Sequence, residues 1–199
     1  MKKSLIFLGI FAFLILSLGY SGCNSFNNMS VKDENVTKTW QEVENQYQRR
    51  MDLIPNLVNT VQGYADFEKS TITAVIEARA KATSITIDPS KLDAASLQKF
   101  QESQGALSGA LSRLLVVAEQ YPNLKANENF IRLQDQLEGT ENRITFGRTQ
   151  FNEAAQDYNT YIRTFPRNMW AGMFSFEKRA YFESDKGAEK APTVKFDTK

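Results

Sequence analysis

The sequence contains no histidine and only one cysteine, Cys23. Without histidine the commonest general base, the commonest transition-metal ligand and the usual pH switch are missing together. The Glu-x-x-His pairs of di-iron helical bundles are excluded by the same absence. One thiol can neither close an internal disulfide nor build a thiolate zinc cage. Charge of one sign is lacking as well. The 24 basic and 23 acidic residues are interspersed, with no basic stripe, which leaves no electrostatic footprint for nucleic acid. No stretch alternates at period two between turn signals, so no sheet is expected. Gly105 and Gly109 make no phosphate loop, because no Lys-Ser or Lys-Thr follows at the required spacing. Inside a helical pattern they are expected to permit close packing. No metal and no cofactor is expected.

What is present begins with an export signal. Lys2 and Lys3 precede an apolar run from Leu5 to Leu18, broken only by Gly9 and Ser17, and Gly19-Tyr20-Ser21-Gly22 then leads to Cys23. Positive, apolar and small-residue regions in that order define a secretory leader, and the run is shorter than the ~20 residues of a spanning helix. Ser21-Gly22-Cys23 resembles the end of a bacterial lipoprotein box, whose cysteine is acylated and becomes the first residue after cleavage. Tyr20 departs from the aliphatic residue that such a box prefers. Lipidation at Cys23 is the favoured expectation, with an uncleaved anchor from Leu5 to about Gly22 as its rival. Either way the lysines stay inside and the remainder lies outside the cytoplasm, attached to a membrane. Asn24, rather than Asp, after the cysteine favours the outer membrane under the Gram-negative lipoprotein sorting rule.

Residues 1–23 are thus the targeting segment and 24–28 a polar tether. From 29 to 165 the pattern is all-α, an antiparallel up-down-up-down bundle of four helices. In the first, Trp40, Tyr47, Ile54 and Val61 recur every seven, beside a second seam of Val36, Val43, Leu57 and Tyr64. Pro55 should kink it. Asp66 is a plausible cap for a second helix ending near Thr83. A third runs from about Asp93 to Gln120 on Leu97, Phe100, Leu107, Leu111 and Leu114. The fourth, capped by Asn127, carries Phe130, Leu137, Ile144, Phe151, Tyr158 and Phe165 at steps of seven. Residues 166–182 form a short aromatic-rich segment, and 183–199, with Gly187, Pro192 and mixed charges, read as a mobile tail.

The block Arg49-Arg50-Met51-Asp52-Leu53-Ile54-Pro55-Asn56-Leu57-Val58, followed by Gly63-Tyr64-Ala65, resembles the central signature of the LemA family. The likeness continues through Glu77-Ala78-Arg79, Glu119 to Ala126, Gly139-Thr140-Glu141-Asn142-Arg143-Ile144, Tyr158-Asn159, Phe165-Pro166 and Ala171 to Phe176. These blocks fall in order along nearly all the chain after Asn24. The resemblance implies an amino-terminal membrane anchor and an extracytoplasmic helical bundle, and it carries no established activity. Members usually keep a Tyr-Asn pair just after the anchor, where this chain has Cys23-Asn24, a departure that favours lipidation.

Arg50 occupies an inward seam, and buried arginines are found paired. Helix lengths put Glu141 at the same depth, so a structural ion pair between Arg50 and Glu141 is expected. An anion site at Arg49, Arg50 and Asp52 is the competing idea. Glu119 with Glu141, or Asp135 with Glu138, would serve an acid–base enzyme, but no cleft motif marks them. Met169 to Phe176 is too short to span a bilayer. It is expected to pack across the bundle, with Trp170, Met173, Phe174 and Phe176 as candidates for partner or membrane contact. The expectation is a non-enzymatic membrane-anchored bundle that binds or scaffolds an envelope protein. The alternatives are a carboxylate-dependent enzyme and a small-ligand carrier using the bundle interior.

Overall fold

The computed structural model describes residues 2–64, 68–89 and 92–183, with side chains from residue 6 onward. Among these residues the protein is all-helical, without strands. Its elements are α1 (Lys2–Gln62), α2 (Lys69–Thr83), α3 (Ala94–Ala118), the one-turn α4 (Pro122–Lys125), α5 (Glu128–Arg163) and α6 (Arg167–Met173). Asp66 and the tail beyond residue 183 lie outside the described residues.

The first helix corrects the expected tether. Residues 24–28 are an unbroken part of α1, which runs from the amino-terminal apolar run through Pro55 to Gln62. No proline or turn glycine falls between Cys23 and Pro55. The Asn28 amide donates to the Asn24 carbonyl oxygen at 2.8 Å, a contact one turn back along the helix. Met29 and Ser25 are buried on this stretch, so it is packed structure. α1 is also the one helix among the described residues that is long and apolar enough to cross a membrane.

Cap chemistry sets two other starts. Asp93 accepts from the Ser96 amide at 2.9 Å, and Asn127 accepts from the amides of Asn129 and Phe130. Each satisfies amides left unpaired at a helix start, worth about 1 kcal/mol per cap. α3 ends at Ala118, and Pro122 opens α4, where its missing amide costs nothing at the first helical position.

α5 lies against α1, and α2 against α3. Cross-contacts fix the direction of the first pair: Lys32 meets Asp157 at 2.5 Å and Arg50 meets Glu141 at 2.7 Å. Between them a Cβ on Gly147 would stand 3.0 Å from Val43 Cγ2. Each step up α1 is matched by an equal step down α5, so the two are antiparallel. Gly105 and Gly109, expected to allow close packing, face open space instead, and Gly147 is where two helix backbones approach. Phe165, at the end of the heptad series, is 80% exposed because α5 stops at Arg163.

Two apolar cores result. One gathers Met29, Val36, Trp40, Val43 and Tyr47 with Phe100, Ile144, Phe151 and Tyr158. The other gathers Ile54, Leu57 and Val61 with Ile72, Val75, Leu107, Leu114 and Phe130. α2 has no residue in the first core, where the loop residues Ile87 and Leu92 and the C-terminal Phe182 take part.

Candidate functional site

Arg50 sits between the two cores, 2% exposed. Its Nη1 donates to Glu141 Oε2 at 2.7 Å and to Ser108 Oγ at 2.9 Å, while Nη2 donates to Gln104 Oε1 at 2.6 Å. The guanidinium also lies 5.2 Å from the Tyr47 ring centroid. A neutral amide and a hydroxyl therefore share the buried cation with a carboxylate whose side chain is 52% exposed. Ser103 and Thr140 complete a buried polar layer at this level. Arg50 Nε and Gln104 Nε2 remain buried without an acceptor. Surface clefts of ≈ 270 Å³ and ≈ 400 Å³ flank the layer between α3 and α5. The first is lined by Gln101, Gln104 and Arg148 and the second by Leu111, Leu115 and Leu137. Arg49 is exposed, and Asp52 accepts from the Gln48 amide, so neither joins Arg50.

Gln104 and Ser108 were missing from the sequence reading. The signal was available for Gln104, which interrupts the seven-residue series Leu97, Leu111, Ala118 with a polar residue.

The aromatic-rich segment packs on α1. The Trp170 ring covers Gly22, where a Cβ would come within 3.2 Å of it. Phe26 takes Phe174 and Phe176 edge-on at centroid distances of 5.1 Å and 5.6 Å. α6 ends in a Schellman arrangement, with the Phe176 amide on the Ala171 carbonyl oxygen at 2.9 Å and that of Ser175 on Gly172 at 3.4 Å. Ser175 accordingly takes φ 59°, a conformation that usually falls to glycine.

That turn sends residues 176–183 back as an extended strap, fastened by side-chain amides. Asn159 donates to the Arg179 carbonyl oxygen and accepts its amide. Asn152 does the same for Phe182. Glu183, expected to begin the mobile tail, is instead held through its carbonyl oxygen by Gln101 and Arg148. Arg179 forms two bonds with the Asp33 carboxylate, both at 2.8 Å. Phe182 stacks on Trp40 at 5.9 Å.

Tyr158 lies beneath the strap, 1% exposed, and donates to the Glu177 carbonyl oxygen at 2.8 Å. Burial, reinforced by the Asp33 charge, pushes its phenol up to about 12 from 10. Since the folded state favours the neutral phenol, this contribution is complete below about pH 10 and is lost as pH rises towards 12. The loss amounts to up to about 3 kcal/mol. Tyr158→Phe should be slightly less stable than the parent near neutrality yet lose less on alkalinisation, as read by urea denaturation at both pH values. An equal alkaline loss in both proteins would contradict this.

Of the carboxylates near the strap, Asp33 is engaged by Arg179 and Asp93 by Ser96. Among the described residues no three His, Cys, Asp or Glu side chains converge. Cys23 is exposed on α1 with a free thiol.

The LemA family model matches residues 39–196. Magnetosome protein MamQ 2 of Paramagnetospirillum magneticum is 33% identical over 92 residues, which is 46% of this chain and 34% of that protein. MamQ of Magnetospirillum gryphiswaldense is 30% identical over the same length. The chain therefore matches only about a third of the length of these magnetosome proteins. Protein LemA of Metamycoplasma hominis is 24% identical over 175 residues, covering 86% of this chain and 76% of that one. None of these relatives bears an enzyme's name. With most of its length matched by the family model, the chain belongs to the LemA family.

Proposed function

We propose that this protein is a non-enzymatic, membrane-anchored scaffold. In this reading a four-helix up-down-up-down bundle stands outside the cytoplasm on its amino-terminal helix and binds an envelope protein. The observation that carries it is the contrast between the two ends of α1. From Ile6 to Leu18 the large apolar side chains are 53–72% exposed, with nothing among the described residues to cover them. From Met29 onward the same helix buries its apolar side chains in two cores. A bilayer supplies the missing cover, and Lys2 and Lys3 keep the amino end on the cytoplasmic side.

Cores built of buried apolar side chains favour a scaffold over a carrier, which needs an empty interior. Engagement of Asp33 and Asp93 beside the strap favours it over an acid–base enzyme. The α3–α5 clefts are the proposed partner site, because Gln104 Nε2 and Arg50 Nε are buried donors there that still lack acceptors. Cys23 remains the lipidation candidate. The rival, an uncleaved anchor, gains support from Gly22, because cleavage before Cys23 would remove the residue on which Trp170 rests.

The test is performed in cells. The full chain should stay in the membrane fraction after an alkaline carbonate wash, and deletion of residues 2–22 together with Cys23→Ser should release it. A cysteine placed at Ala74, exposed on α2 away from the clefts, should react with a membrane-impermeant maleimide, and a photocrosslinker at Leu115 should give one discrete protein adduct. Intact mass separates the two anchors, since an acylated chain begins at Cys23 and an uncleaved one at Met1. A protein released by the wash, or an Ala74 site protected in intact cells, would refute the anchored extracytoplasmic reading. A crosslinker that captures no protein would refute the scaffold.

A further inference from the structure

We propose that Phe165, Met169 and Met173 form a lipid-facing surface lying in the interfacial layer of the membrane that α1 spans. This rests on the anchor reading above. The three residues are 80%, 64% and 69% exposed, and they recur at steps of four along the turn into α6 and α6 itself. They point away from the packed side of that helix, where Ala171 is buried and Trp170 covers Gly22. An exposed Phe–Met–Met stripe is costly in water and suited to the headgroup–acyl boundary.

The level of α6 on α1 decides the matter. The apolar run from Leu5 to Leu18 rises only ~21 Å at ~1.5 Å per residue, against a hydrocarbon core ~30 Å thick. With Lys2 and Lys3 fixing the other end, the shortfall of ~9 Å falls on the next ~6 residues, Gly19 to Asn24. Those residues are small or polar and offer lipid little apolar surface except at Tyr20. Trp170 sits at Gly22, and Phe174 and Phe176 sit one turn further, at Phe26. α6 therefore stands at the height where the anchor runs out of apolar residues, and its outer stripe supplies them. Exposed Arg163 and Arg167 lie at the same end, where phosphate headgroups would meet them. Arg167 is already oriented over the Tyr161 ring at 4.2 Å.

The experiment uses the full chain with Cys23→Ser, which also blocks lipidation and processing. Single cysteines replace Ile10, Met169, Met173 or Ser112 and carry an environment-sensitive fluorophore. Each protein is reconstituted into phosphatidylcholine vesicles containing a minority of phosphatidylglycerol, with nitroxide lipids spin-labelled near the headgroup or deep in the chain. The shallow nitroxide should quench the probes at 169 and 173 several-fold more than the probe at 112, and the deep nitroxide should quench the probe at 10. If 169 and 173 behave like 112 while 10 is still quenched, the surface does not face lipid and the anchor reading stands. If 10 is unquenched as well, the anchor reading fails and takes this inference with it.

Discussion

Arg50→Ala is expected to lower the unfolding free energy by about 3 kcal/mol, measured by urea denaturation of the detergent-solubilised chain through tryptophan fluorescence. Truncation empties the boundary between the two cores and strands the Gln104 amide. It also removes the bonds to Ser108 and Glu141 and the cation over Tyr47. Glu141→Ala should cost only about 1–2 kcal/mol, because Arg50 keeps Gln104 and Ser108 and water reaches the half-exposed side. The pair is asymmetric because one partner is buried and the other half exposed. Arg49→Ala, on the exposed side of the same turn, should stay within about 0.5 kcal/mol of the parent. Equal losses for Arg50→Ala and Glu141→Ala would mean that the neutral partners contribute nothing.

Gly147→Leu should be similarly damaging, at about 3 kcal/mol, because its side chain must displace Val43 from the α1–α5 contact. A Cβ there would already stand 3.0 Å from Val43 Cγ2 and 3.6 Å from Val43 Cα. Gly105→Ala and Gly109→Ala meet open space and should each stabilise by about 0.5–1 kcal/mol through helix propensity and unfolded-state entropy. Thermal melts of the three variants settle the assignment. A tolerated Gly147→Leu beside damaging changes at 105 and 109 would restore the packing role that the sequence pattern implied.

These glycines mark where sequence reasoning stops. Apolar period identifies a helix and its buried seam, because burial repeats every turn. Trp40, Tyr47, Ile54 and Val61 on α1, and Phe130 to Tyr158 on α5, are accordingly buried as read. Which glycine meets a neighbouring backbone depends on the partner's register, and no single helix encodes it. The seam likewise marks Arg50 as inward but does not reveal that α3 supplies two of its three hydrogen-bonded partners. The strap has no period at all. Residues 176–183 are held by amides on α3 and α5, so nothing local in their own sequence announces an ordered segment. Asn24 to Asn28 look like a tether because they are polar, whereas their helix is held from outside by α6.

The strap and α6 have a consequence for how the protein is made. Gly22 is covered by Trp170, Asp33 is bound by Arg179, and Trp40 is stacked on Phe182. The core nearest the amino-terminal apolar run is thus closed by contacts between the beginning and the end of the described chain. Such contacts require the longest loops to close, and they form late. The neighbouring pair α2 and α3 needs only a short connection and can pair early. On the extracytoplasmic reading, the chain crosses the membrane before its two ends can meet. The anchor-end core then locks only after residue 182 has crossed, which leaves the emerging chain free of the structure that would stall its passage.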